Sequence, residues 1–310
     1  MSKTLSRARP PVLLSYRPWR GQLGSPGRTV WPIARTALGL MFRNKLFWAL
    51  YGLGLMFFPL FFFGQYLMVQ LEIQMGSSSG VPNNLHDWMG KIRELLKLDG
   101  SGESYRIYFG MQGYMVMIIL ALAGAILVGN DVRFGSLPFY LSKPISRLHY
   151  LGGKVLAVAV FVNMMTTIPA MVLYVQYSLL EDKENYFVNK WYLLVGIVGY
   201  GAVLTVTLSL LLVATALWVK RTVPMIMVWT TLFMFCRVLA DRLVVELHRS
   251  PYWRLIDLWN NTALVGSACL GVRADRTQPE WYWAALVLGA VNLTCLIYLI
   301  LRIRAEEVVK

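Results

Sequence analysis

Charge is scarce in this sequence: Asp, Glu, Lys and Arg make up 15% of its 310 residues, against about 25% in an ordinary soluble domain. The shortage is local, because long apolar runs alternate with short stretches that hold nearly all the charge. That pattern excludes a soluble globular domain. Cysteine is scarce too. Cys236, Cys269 and Cys295 lie in or beside apolar segments, with no CxxC and no metal-ligand spacing, so they read as small packing residues. The nearest approach to GxxxxGK[ST] is Gly152-Gly153-Lys154-Val155, which lacks the hydroxyl residue that would hold magnesium and the upstream glycine. Nucleotide hydrolysis by this chain is thereby excluded. HExxH and GxSxG are also missing, and His86, His149 and His248 are expected in three separate loops. Without clustered acids, bases or nucleophiles, the chain is expected not to be an enzyme and to hold no metal or cofactor itself. A cleavable signal peptide is not expected, since the first apolar run begins near Leu46 behind a long basic arm without a small-residue cleavage site.

What is present is apolar surface: 57% of residues are hydrophobic and the mean hydropathy is +0.52. A helix rises about 1.5 Å per residue, so roughly 20 apolar residues cross a ~30 Å hydrocarbon core. Runs near 46–70, 108–129, 152–179, 192–219, 223–245 and 281–301 meet that length. The expected fold is an all-α integral membrane protein with six transmembrane helices. Pro59 is expected to kink the first span, and Pro169 lies two-thirds of the way along the third. Only Lys220, Arg221 and Thr222 separate the fourth from the fifth, as in a tight hairpin.

A net charge of +14 invites a nucleic-acid reading, but its distribution argues against one. Nine Lys/Arg and no acid precede the first span, and the basic excess recurs only in alternate loops. With the N-terminus in the cytoplasm, the inner segments 1–45, 130–154, 220–222 and 302–310 hold eighteen Lys/Arg against three Asp/Glu. The outer segments 71–107, 180–191 and 246–280 hold ten against twelve. Inner segments favour positive charge, so both termini are expected to be cytoplasmic.

Residues 1–27, rich in Pro, Gly, Ser and Arg, read as a flexible basic arm preceding a single membrane domain, 28–310. In RTVWPIARTALGLMFRNK, Ile33, Ala37, Leu40 and Met41 share a helical face beside a basic rim, which predicts an amphipathic helix along the inner membrane surface or a downward extension of the first span. A second short amphipathic helix is expected after Asn84 in the outer loop. The stretch from Leu258 to Val272 is charge-free for 15 residues, too short to span, and predicts a re-entrant or interfacial outer segment before span six.

Polar groups within spans are candidates for function. Arg237 and Asp241, at i and i+4, are expected to pair on one helix face near the outer end of span five. Asn163, Thr166 and Thr167 are positioned to bond across to Thr205, Thr207 and Ser209 of span four. The connector GNDVRFGSLPFYLSKPISRLHYLGGK, residues 129–154, reads as a short helix held crosswise beneath the membrane and bent at Pro144.

This connector resembles that of the membrane subunits of type-2 ATP-binding-cassette (ABC) transporters. The matching residues are Asp131, Gly135-Ser136-Leu137, Tyr140-Leu141-Ser142, Pro144-Ile145-Ser146-Arg147 and Tyr150-Leu151-Gly152 with Lys154. The family's usual Glu-Arg is replaced by Asp131-Val132 with Arg133 one place later, and Gly153 is an extra glycine before the lysine. The resemblance extends more weakly to the N-terminal amphipathic segment, the span count and the outer segment before span six. It implies a permease subunit beside a second copy or a sister permease; with lipids rather than nucleic acid as the expected contacts, the chain is expected in a plasma (inner) membrane, as the lack of an attached ATPase domain and of a signal peptide suggests. The resemblance further implies export, driven by a separate cytoplasmic ATPase subunit that binds ATP and Mg. The coupling helix would carry Asp131, Arg133, Gly135, Lys143, Pro144 and Arg147 towards that ATPase. The alternatives are a membrane scaffold or assembly subunit without ATPase coupling, and a membrane-embedded enzyme.

Overall fold

A computed structural model describes residues 30–43, 45–77, 91, 97–124, 147–180, 185–219 and 221–302. All its regular elements among these residues are helical. Six are long and apolar enough to cross a bilayer: Phe47–Leu71, Gly102–Leu122, Leu148–Leu180, Trp191–Val219, Val223–Glu246 and Trp281–Arg302. This is the architecture of a multi-pass membrane protein.

The chain opens with α1 (Val30–Phe42), which buries Ile33, Ala34, Ala37 and Met41. Leu40, expected on that face, is exposed, and Ala34 takes its place. Span one consists of α2 (Lys45–Leu55) and α3 (Phe57–Ser77), divided at Met56. Span two is α4 (Gly102–Gly124), which starts at Gly102 rather than near 108. Asp99 Oδ1 accepts from both the backbone N and the Oγ of Ser101 and so shapes the turn before this helix. Glu103 in the first turn complements the helix dipole.

Span three consists of α5 (Arg147–Met165) and α6 (Thr167–Leu180), divided at Thr166. The breaks in spans one and three each stand about one turn before a proline. Pro59 and Pro169 have no N–H to give the carbonyls of Leu55 and Met165, so the ladder loses a bond at these points. Thr166 Oγ1 donates to Val162 O at 2.8 Å.

A five-residue helix, α7 (Asn185–Asn189), precedes span four, α8 (Trp191–Val219). Apolar on all sides, α8 lies at the centre of the bundle, packed on α4, α5 and α6. Span five begins as α9 (Thr222–Thr230), widens to a π turn over Thr231–Phe235, and continues as α10 (Cys236–Asp241) with a second π turn over Arg242–Glu246. After a 3₁₀ turn at Pro251–Ile256 come α11 (Leu258–Cys269) and span six, α12 (Trp281–Arg302). Spans one and two run antiparallel: Gly54 meets Met115, Phe61 packs edge-on against Tyr108, and Gly64 meets Leu98.

The helix expected after Asn84 and the connector helix near 131–146 lie outside the described residues. His149, expected in a loop, belongs to the first turn of α5.

Candidate functional site

The sequence-predicted polar residues fall in two separate places. Asn163 is at the α5–α8 contact, where its Nδ2 donates to Ala159 O at 2.8 Å and to Thr205 Oγ1 at 2.9 Å. Of the expected cross-bonds between spans three and four this one is formed, whereas Thr166 and Ser209 donate within their own helices, to Val162 O and Val206 O. Thr207 accepts from Asn292 Nδ2 at 3.3 Å and so ties span four to span six. Thr167 packs so closely on Gly201 that no side chain fits there. This polar set fastens helices together.

Arg237 and Asp241 lie elsewhere, on α10. Their expected mutual ion pair is not formed. Arg237 stands over the ring of Tyr114 in span two, 5.3 Å from its centroid. Asp241 Oδ1 lies 3.7 Å from Nη2 of Arg254, on the 3₁₀ turn. The i, i+4 spacing places both on one face, but partners on other elements compete for them. The Tyr114 ring face and the charge of nearby Asp257 draw the guanidinium of Arg237 inward. Arg254, only 14% exposed, takes the carboxylate.

These groups line a cavity of about 260 Å³ between span two, span five and α11. Its cations are Arg106, Arg237 and Arg254, its anions Asp241 and Asp257, and Tyr114 and Trp259 form aromatic walls. Arg106 is already paired with Glu103, which Lys97 also approaches at 3.6 Å. Arg254 Nε is buried and has no hydrogen-bond partner among the described residues.

The cavity exists because α11 is seated in the bundle. Asp257 caps it, Oδ1 accepting from Trp259 N at 2.9 Å. Gly271, at φ +70°, ends it in the left-handed conformation. Between these ends the helix rests on glycines. A Cβ on Gly113 would overlap the Trp259 ring, and one on Gly196 would stand 2.5 Å from Cys269 O. Burial pushes the Asp257 carboxyl above the usual carboxylate range; amide hydrogen bonds from Asn260 and Trp259 and the charge of Arg237 oppose the shift.

Sequence reasoning missed Arg106, Tyr114, Arg254, Asp257 and Trp259. The available signal was Asp257 just before an apolar run, in a cap position, with Arg254 three residues earlier. It also missed a second feature: Gln65, Ser104, Tyr108 and Gln112 are fully buried, and their polar side-chain atoms have no partners among the described residues. The register of spans one and two puts Gln65 level with Ser104, one turn beyond the Phe61–Tyr108 contact.

Of the coupling candidates, Asp131, Arg133, Gly135, Lys143 and Pro144 lie outside the described residues, and Arg147 is the first residue of α5. No protein-family model matches the chain, and no curated protein matches it either. No cluster of metal-ligating side chains occurs among the described residues.

Proposed function

We propose that this chain is the permease subunit of a type-2 ABC transporter, working beside a second permease and driven by a separate cytoplasmic ATPase. The observation that carries this reading joins the connector's sequence pattern to one contact. The two elements that the resemblance assigns to the ATPase, the 28–45 segment and the lead into span three, are packed together: α1 lies along the first turns of α5, with Ile33 and Val30 against Gly153. Force applied to either element reaches the same span. In this reading α1 is an interfacial helix on the inner surface, residues 131–146 form the coupling helix, and α11 is a re-entrant segment on the outer side. Both termini face the cytoplasm of a plasma (inner) membrane.

Closure of the ATPases on ATP presses on these elements and tilts span three. The driving free energy arises on the partner chain, and it does work only because the permease binds its cargo differently in two states. The spans carry no dense ring of charge, which favours an amphipathic or lipid-like cargo over a small ion, and export is the direction adopted.

The test is purification of the tagged full chain from its native membrane, together with labelling of a Lys143→Cys variant. Recovery of a soluble Walker-motif ATPase, with the introduced thiol reached from the cytoplasmic side, is the expected result. A label that reacts only from the extracytoplasmic side inverts the orientation and ends the proposal.

A further inference from the structure

Three independent observations meet at the cavity beside Arg237. The first is charge. Three arginines and two aspartates line the cavity. Arg106 is held by Glu103 and Arg254 approaches Asp241, whereas Arg237 has no carboxylate within 4.0 Å among the described residues. The second is an unfilled donor, the buried Nε of Arg254. The third is what adjoins the cavity. One turn earlier on span five, at the π turn, Thr230, Thr231, Met234, Phe235 and Val238 line an open apolar groove of about 540 Å³. Met234 and Phe235 are among its most exposed residues.

A polar cavity of 260 Å³ is smaller than most sites for whole drug-sized molecules, which run from about 300 to 1,000 Å³. It suits a headgroup whose remainder lies elsewhere. The apolar groove supplies a place for an acyl chain beside it. Depth agrees with this. Span six opens with Trp281, Tyr282 and Trp283, the aromatic set found where hydrocarbon meets headgroups, and Trp283 packs edge-on to Tyr252 of the 3₁₀ turn that carries Arg254. The Arg254 end of the cavity therefore lies near the headgroups, with Arg237 and Tyr114 further into their spans.

We propose that this cavity binds the phosphodiester of an anionic membrane lipid, with Arg237 and Arg254 as the phosphate ligands and one acyl chain along the span-five groove. A phosphodiester carries a single negative charge, which suits one arginine that lacks a close carboxylate, Arg237. The planar guanidinium presents paired donors to two phosphate oxygens at once. Asp241 and Asp257 close by disfavour a more highly charged anion such as free inorganic phosphate. The inference needs only that the chain lies in a bilayer, so it stands or falls independently of the ATPase partner.

The test uses the purified full chain in neutral detergent, with thermal unfolding followed as phosphatidylglycerol, phosphatidylcholine or inorganic phosphate is added. Phosphatidylglycerol is expected to raise the unfolding midpoint well above the effect of phosphatidylcholine. Arg237→Gln and Arg254→Gln each weaken its apparent affinity by roughly tenfold. Arg242→Gln, whose partner Glu246 lies outside the cavity lining, leaves it unchanged. Equal responses to the two lipids, or an undiminished phosphatidylglycerol response in Arg237→Gln, overturn the proposal. Protection by inorganic phosphate with no further gain from lipid identifies a free anion and overturns the lipid assignment. Should Arg237→Gln not fold, Arg237→Lys keeps the charge and loses the fork, and full lipid preference in that variant counts against the site.

Discussion

Ile33 of α1 fills the space that a side chain on Gly153 of α5 would need: its Cβ and Cγ2 each lie 2.7 Å from the place where a Cβ would stand. The neighbouring Gly152 is different, with Val30 Cγ1 an ordinary 3.9 Å away. The two glycines therefore separate a packing requirement from a helix-propensity effect. Gly153→Val is expected to destabilise the protein by about 1–3 kcal/mol through overpacking and to speed tryptic cleavage after Arg35, an exposed residue of α1, as the undocked helix frays. Gly152→Ala is expected to gain up to about 1 kcal/mol as a better helix former. Thermal unfolding and limited proteolysis read both. Equal effects of the two substitutions would mean that α1 is not docked here.

Asn163 and Thr205 form the direct polar link between spans three and four. Interhelical hydrogen bonds of this kind contribute about 0.6 kcal/mol on average and seldom exceed about 1.7. Asn163→Leu and Thr205→Val are expected to cost amounts in that range, and the double variant less than their sum. Additive costs in a double-mutant cycle would remove the bond from the account.

Asp257 does two opposed things, capping α11 while being buried. Its folded-state affinity for a proton is raised, so the protein stabilises as pH falls through the folded-state value, levelling off below the unfolded one. Above the folded-state value that contribution is lost. Asp257→Asn keeps an acceptor for Trp259 N, removes the charge and is expected to flatten this acid dependence without loss of stability at neutral pH. Asp257→Ala loses the cap and costs about 1 kcal/mol. Unfolding midpoints across the acid range separate the two variants. An unchanged pH profile in Asp257→Asn would locate the titration elsewhere.

Gln65 and Gln112 bury amides without partners among the described residues. Leaving such a group unsatisfied costs roughly 1–3 kcal/mol, so Gln65→Leu and Gln112→Leu are expected to raise the unfolding midpoint. A fall in both variants would show that these amides find partners in the working protein.

The spans were legible because crossing a bilayer imposes a length, and the apolar runs near 192–219 and 281–301 begin and end within a residue of α8 and α12. Span two was harder to bound, because its first turn is polar on the outside and buries Ser104 and Tyr105 on the inside. The face of α1 was read in outline, with Leu40 misassigned, since helical spacing cannot tell which edge of a stripe meets a neighbour. The Arg237–Asp241 pair failed for a related reason. Spacing along one helix says which groups are adjacent, whereas Tyr114 and Arg254 come from elements 123 and 13 residues away along the chain and entered only through folding. Gly153, which interrupts the resemblance to the permease family, has its explanation in the fold: it makes room for Ile33.

The two proline breaks share a level. Gly54, just before the break at Met56, lies against Met165, just before the break at Thr166, and beyond them Gln176 Nε2 donates to Phe62 O at 2.8 Å. Spans one and three are thus creased side by side, with α3 and α6 fastened as one panel above the crease and α2 and α5 below it, the latter carrying α1. A shove on α1 changes the crease angle before it stretches any helical hydrogen bond within a panel, so bending is concentrated where the backbone ladder is already open.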